Sequence, residues 1–205
     1  MFTLTVMDSD KWIAAGIAQY FNDRHITVTV LTDAQDKDAL KIAAESNIVI
    51  SELYTSGRDV QAVSELFVML RMKSPLTRVI FLTDLKEKAV ISYVKALLPN
   101  ARVLSKSCDI HRLASEVFSC ASQSDEEIIS LNVKRKSGAL TAKEFSLLRF
   151  LATNKSLTDI GFKLQLSVKT VSQHRKSIMR KLNCRTTHEL SPCLKGMGFG
   201  NIKSS

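Results

Sequence analysis

The chain has 205 residues, 45% of them hydrophobic and 24% charged, and carries a net charge of +9 at pH 7. That length accommodates two modest domains, each with a core of its own. There is no repeat, no low-complexity tract and no run of 18 apolar residues, which argues against fibrous, disordered and helical membrane-spanning classes.

The charge is unevenly placed. Residues 1–124 hold 14 Lys/Arg against 14 Asp/Glu, whereas residues 125–205 hold 15 against 6. The entire excess therefore lies in the C-terminal part, which points to nucleic acid. A membrane-surface helix would need a broad aromatic face, and residues 168–182 lack one. The four cysteines, Cys108, Cys120, Cys184 and Cys193, form no CxxC pair. Only Cys108 has a histidine nearby, His111, so reduced thiols are expected, with no metal and no cofactor. The first residues, MFTLTVMDSDKW, place Asp8 and Asp10 where a signal peptide would have its apolar run, which makes the cytoplasm the expected compartment and a membrane an unexpected partner.

In chain order, the β-branched run Phe2 to Met7 predicts a strand that ends at Asp8-Ser9-Asp10. Trp12, Ile13, Ile17 and Phe21 follow at helical spacing. Ile26 to Leu31 is a second strand, and Asp36 is placed to cap a helix running through Ala44. Asn47 to Ser51 is a third strand, ending at Glu52. Val60 to Met72 is helical and Arg78 to Leu82 a strand ending at Thr83-Asp84. Lys86 to Leu98 is a helix closed by Pro99, Ala101 to Leu104 a strand ending near Lys106, and Ile110 to Cys120 a helix. Five βα units in a row predict a doubly wound α/β domain, a parallel sheet with helices on both faces. Polar residues at the strand ends, Asp8, Glu52, Thr83 and Lys106, should converge at the switch in strand order.

Periodicity breaks down over 123–137, read as a linker in which Ile128 to Val133 could add a short strand and Lys134-Arg135-Lys136 phosphate contacts. A C-terminal all-α domain, 138–205, should follow. Within it, Leu157 to Leu182 predicts a short helix with Ile160 and Leu164 on one face, a break at Leu166-Ser167, and a second helix capped by Ser167. At about 100° per residue, Val171, Ile178 and Leu182 share one face of that second helix. Lys169, Gln173, Lys176 and Arg180 share the other, with Ser172 and Ser177 as shoulders. Lys and Arg can meet phosphates or guanine, and Gln can pair with adenine, so this face suits a major groove. The short helix, turn and second helix form a helix-turn-helix, Leu157 to Lys176. Thr187 to Leu194 is a last short helix with Leu190 and Leu194 on one side, and Gly196 to Ser205 is expected to be a mobile tail.

From Leu140 to Leu190 the chain resembles the LuxR-type domain of NarL/FixJ regulators. The resemblance rests on Leu140-Thr141-x-x-Glu144, Leu147-Leu148, Asp159-Ile160-Gly161 where the family has Glu-Ile-Ala, Ser167-x-Lys169-Thr170-Val171-x-x-His174, Ile178, Lys181-Leu182 and Glu189-Leu190. Asn154 replaces the usual glycine after the first helix. The resemblance implies double-stranded DNA as ligand, with Ser172, Gln173 and Lys176 facing bases; the helical wheel adds Lys169 and Arg180 at the two ends, where the phosphate backbone is closest, and Thr170 and Ser177 complete the expected contact surface. It implies a dimer contact through Leu190 and Leu194, and RNA polymerase as a further partner.

The N-terminal half resembles the receiver domain of two-component response regulators, where two acids at the first strand and an aspartate at the third bind a divalent cation, and that aspartate accepts a phosphoryl group. Here Asp8 holds the first acidic place, Ser9 the second, and Glu52 the acceptor's place, while Thr83 and Lys106 are kept. The extra methylene of Glu52 displaces the carboxylate by roughly 1.5 Å, an error that already costs orders of magnitude in rate. A regulator that is not switched by phosphorylation is the expected function, similar to the RcsA/RcsB-like regulators, acting as a homodimer or as a heterodimer with another LuxR-type regulator. Glu52 is then either a permanent charge paired with Lys106 or a surface residue at a decayed site. Two alternatives remain: a phosphorylation-activated response regulator using Asp10 as the missing acid, and a haloacid-dehalogenase-like phosphatase, which lacks its further acidic cluster here. No enzyme activity is expected.

Overall fold

Five short runs rich in β-branched and apolar residues form the strands of one parallel sheet: β1 Thr3–Met7, β2 Thr27–Leu31, β3 Ile48–Glu52, β4 Arg78–Thr83 and β5 Ala101–Ser105. Their order is β2-β1-β3-β4-β5, so the ends of β1, β3, β4 and β5 are neighbours, as expected. The computed structural model describes residues 2–31, 38–55, 57–122, 138–153 and 155–200. The expected cap Asp36, the linker 123–137 with its short strand and basic triplet, and Asn154 lie outside them.

Alternation along the strands sends side chains to both faces. Leu4, Val6, Ile48, Ile50, Ile80 and Leu82 pack under α1 Lys11–Asn22 and α5 Ile110–Ala121. Val49, Val79 and Phe81 pack under α2 Ala39–Ala44, α3 Val60–Lys73 and α4 Lys88–Leu97. Trp12 departs from the expected apolar face of α1 and is 88% exposed. Its position lies about 100° or more around the helix from Ile13, Ile17 and Phe21, so Ala14, Ile17 and Phe21 fill the core without it.

The C-terminal helices are α6 Ala142–Leu151, α7 Leu157–Leu164, α8 Val168–Lys181 and α9 Thr187–Lys195. Their buried residues, among them Phe145, Leu148, Val171 and Ile178, belong to the same cluster as the α3–α4 side of the sheet. The two halves are therefore not packed around wholly separate cores. Two expectations change for the same reason. Leu190 and Leu194 are 3% and 1% exposed. They fill this chain's own core, so in this arrangement neither is available as a dimer contact. The expected mobile tail is in part fixed: Met197 and Phe199 are fully enclosed, and the Val60 amide donates to the Met197 carbonyl at 3.0 Å.

Candidate nucleic-acid interface and sheet-edge pocket

At the carboxyl ends of the strands, three of the five expected pocket residues meet. Lys106 Nζ lies 3.1 Å from Asp8 Oδ1 and 2.9 Å from Glu52 Oε1. Asp8 and Glu52 are buried, and the lysine side chain is only 10% exposed. Ser9, standing in the second acid's place, donates its hydroxyl to Glu52 Oε2 at 3.1 Å. Glu52 is thus no surface residue. Burial above all pushes its carboxyl up, with Asp8 acting the same way and the Lys106 bond opposing. For Lys106, burial works against the ammonium, but Glu52 and then Asp8 outweigh it and raise its pKa.

Asp10 and Thr83 stand apart from this triad. Asp10 Oδ1 accepts from the amides of Trp12 and Ile13, which caps α1, and its backbone amide donates to Asp8 Oδ1 at 2.8 Å. The Thr83 hydroxyl is buried and accepts from the Leu85 amide. Its interaction fixes the loop into α4.

The helix-turn-helix is built by local caps. Ser156 and Asp159 form a capping box at the start of α7. Gln165 closes the helix in the left-handed region at φ 53°. A side chain at Gly161 would bring a Cβ within 2.7 Å of the Leu166 carbonyl oxygen, so this turn is tighter than the alanine usual in LuxR-type sequences would allow. Ser167 then caps α8, accepting from the Thr170 amide at 3.0 Å.

On α8, Val171 and Ile178 are fully buried and Leu182 nearly so. Lys169, Gln173, Lys176 and Arg180 are exposed together, as the helical wheel predicts, with Ser172 half-buried beside them. Two expected members of the reading face are otherwise engaged. The Thr170 hydroxyl is 2.7 Å from the Ser167 hydroxyl within the cap. The Ser177 hydroxyl donates to Glu144 Oε1 at 2.7 Å, which turns it away from the exposed face.

Glu144 is the residue the sequence reading quoted without a role. It closes the α6 capping box with Thr141, and its carboxylate also receives Ser177 and, at 2.6 Å, Lys181 Nζ. Burial opposes the charge, yet Lys181, the Thr141 amide and the Ser177 hydroxyl hold the pKa at about 2. One carboxylate therefore ties the start of α6 to α8. The Thr-x-x-Glu spacing signals the local box, but nothing in it signals the two partners on α8.

A second group that the sequence reading missed joins the halves. Arg149 makes a two-pronged pair with the buried Asp59, at 3.0 Å in each prong. Tyr93 stacks on Phe145 with centroids 4.3 Å apart, and Gln61 donates to the Phe145 carbonyl. The Leu140 amide donates to the Ala89 carbonyl, and the Cys193 thiol, its pKa pushed up by burial and then by Glu87, donates to that carboxylate. Gly198 adopts φ 86°, and a Cβ there would be 2.9 Å from Asp59 Cα. The C-terminal helices thus seat on the N-terminal halves and caps of α3 and α4, the helices that follow β3 and β4. A lone Arg149 within the apolar run FSLLRFL was the available signal.

This docking leaves the basic face of α8 exposed. Arg149→Met should cost about 2–4 kcal/mol of stability, because it strands the carboxylate of Asp59 in a buried site. Chemical denaturation of the full chain would measure it, and a loss under 1 kcal/mol would show that the pair does not hold the halves together.

Residues 138–191 match the family described as bacterial regulatory proteins, luxR family. No curated protein matches the chain at the significance required. Among solved structures, RcsB from Salmonella enterica serovar Typhimurium, bound to promoter rprA with phosphomimetic BeF3-, is 21% identical with a TM-score of 0.62, covering 95% of this chain and 98% of that one. A further RcsB–DNA complex gives 20% identity and a TM-score of 0.59, with coverage of 94% and 98%. A two-component response regulator from Clostridium difficile is 14% identical, with a TM-score of 0.50 over 60% of this chain and 98% of its own. Among the described residues no helix is long and apolar enough to cross a membrane. The chain thus joins a five-stranded parallel sheet, in the order β2-β1-β3-β4-β5, to a helical C-terminal part whose residues 138–191 match the luxR family of bacterial regulatory proteins.

Proposed function

We propose that this protein is a transcription regulator that reads double-stranded DNA with α8 and needs no phosphorylation to do so. The observation that carries the reading is the face formed by Lys169, Gln173, Lys176 and Arg180, exposed while the domain is docked on the receiver-like half. No rearrangement is required to uncover it. The pocket supports the second clause. Its lysine is already held by two carboxylates, and its acceptor place holds Glu52, so an incoming phosphoryl group meets neither a free ammonium nor an aspartate in the acceptor's place. The Asp10 carboxylate, which the phosphorylated alternative needs as a cation ligand, has one oxygen committed to the α1 cap. Residues 1–122 act as the receiver-like platform and 138–205 as the reading domain. The protein works as a homodimer or as an auxiliary partner of another LuxR-type regulator, with RNA polymerase as a further contact.

Genome-wide mapping of its DNA sites, with and without candidate partner regulators, tests the reading. Purified full-length protein should bind those sites with an affinity that falls about 0.9 log units per log unit of salt for each phosphate neutralised. A flat salt dependence would remove α8 as a DNA-contacting helix.

Along the reader helix the roles divide. Gln173→Ala should relax preference at one base pair by about 1–3 kcal/mol, whereas Lys169→Ala should weaken all sequences alike. Selection of preferred sites by each variant from a randomised pool checks this. An unchanged site preference in Gln173→Ala would take Gln173 off the bases.

A further inference from the structure

A groove of about 380 Å3 runs between α1 and α5, on the opposite side of the sheet from the docked C-terminal helices. Ile13 and Ile17 form its α1 wall, Ile110 and Leu113 its α5 wall, and the buried Leu82 of β4 lies at its base. Small-molecule clefts hold roughly 300–1,000 Å3 and are mostly apolar with a few placed polar groups. This groove sits at the lower end of that range.

Two features leave it open. Gly16 lines the groove, and a Cβ there would have no neighbour within 4 Å. Trp12, the chain's one tryptophan, also lines it and is exposed. The groove's other ring, Tyr20, is already taken, with the Arg24 guanidinium 3.6 Å above it. Both helices start at the carboxyl edge of the sheet, which puts Trp12 and Asp109 at the same end of the groove.

The charge at that end is negative. Lys106 is the only cation among the described lining residues, and its ammonium is already held by Asp8 and Glu52. Asp109 caps α5 by accepting from the Arg112 amide at 2.8 Å through Oδ1. That amide above all holds its carboxyl below the ordinary value, so it stays charged at neutral pH with Oδ2 facing the rim. An ammonium is drawn to a carboxylate and to the face of an indole alike. A ligand carrying a carboxylate would meet no free cation here.

We propose that the α1–α5 groove binds a small aromatic amine, its ring against Ile13, Ile17 and Leu113 and its ammonium at the Trp12 and Asp109 end. The proposal goes beyond the DNA-reading assignment and does not rest on it.

The test titrates purified full-length protein with phenethylamine, and with hydrocinnamate as an anion of the same shape, following Trp12 emission and the heat of binding. The amine should bind saturably with a Kd of about 1 mM or tighter, and the acid about tenfold or more weakly. Gly16→Leu fills the open floor and should weaken the amine about tenfold. Its side chain enters empty space, and a thermal melt checks that the fold holds. Asp109→Asn retains an α5 cap and should erase most of the preference for amine over acid, which keeps the test decisive if the melt of Gly16→Leu falls. An acid that binds as tightly as the amine, amine binding that survives Gly16→Leu, a preference unchanged in Asp109→Asn, or no saturable binding by either compound overturns the proposal. So does Trp12 emission that shifts with protein concentration before any amine is added, which would seat a second copy in the groove. Affinity for a mapped DNA site is measured alongside. If it is retained while the amine fails to bind, the groove falls and the DNA-reading assignment stands.

Discussion

Replacing Lys106 by methionine should lower the unfolding free energy by about 3–5 kcal/mol at neutral pH, since removal of one partner leaves uncompensated charge in a buried site. Two carboxylates, on Asp8 and Glu52, are 3% and 7% exposed and share that one ammonium. Without it, both face the same enclosed space, and the folded pKa of at least one rises above its unfolded value. A raised carboxyl contributes stability that is present below the unfolded pKa and lost as pH rises through the folded one. The variant should therefore regain stability as pH is lowered from 7 towards 5, while the wild type does not gain to the same extent. Glu52→Gln should behave oppositely. It removes one of two competing carboxylates and leaves Lys106 paired with Asp8, so its stability should stay within about 1 kcal/mol of wild type. Urea denaturation at several pH values measures all of this. A Lys106→Met variant as stable as wild type at pH 7 would mean that the triad does not form.

The second large effect is expected at Glu144. Its carboxyl sits at about 2, against an ordinary value of 4.5. A depressed carboxyl contributes stability that is full above the unfolded pKa and lost as pH falls through the folded one. The difference corresponds to about 3 kcal/mol, lost between about pH 4.5 and pH 2. Glu144→Gln should remove a similar amount at pH 7. The amide cannot neutralise Lys181, whose side chain is 18% exposed, and it gives up the charge-assisted bonds from Ser177 and Thr141. The wild type should show the stability loss on acidification and the variant should show a shallower one. Equal slopes in the two proteins would place the acid sensitivity elsewhere.

The contrast between Lys106 and Glu144 shows what the sequence could carry. The receiver-like sheet was legible because five β-branched runs alternate with helical stretches, and the end of each strand was marked by its first polar residue, so Asp8, Glu52, Thr83 and Lys106 could be placed at one edge. Periodicity also separated Val171 and Ile178 from Lys169 and Gln173. What it could not carry were choices among competing local partners. Asp10 carries the same carboxylate as Asp8, but it is taken up by the first amides of α1. Ser177 sits on the shoulder of the wheel, and only the arrival of Glu144 from another helix decides which way its hydroxyl turns. Leu190 and Leu194 form an apolar stripe that would suit a dimer contact or a core equally well, and the α3–α4 side of the sheet settles it in favour of the core. Met197 and Phe199 lie in a glycine-rich stretch that reads as a tail. They are held because the chain folds back onto Asp59 and Val60, a contact between residues more than a hundred positions apart.

Whether the exposed face of α8 reads DNA without phosphorylation is decided by measuring the affinity of the full-length protein for a mapped operator, before and after treatment with acetyl phosphate and Mg2+, and again with beryllofluoride. A ligand shifts an equilibrium only through differential binding to its states, and a pocket closed by Lys106, Asp8 and Glu52 offers it little to bind. The predicted result is sequence-specific binding by the untreated protein, changed less than twofold by either treatment. No binding until treatment, or a tenfold tightening accompanied by phosphoaspartate at Asp8 or Asp10, would contradict it.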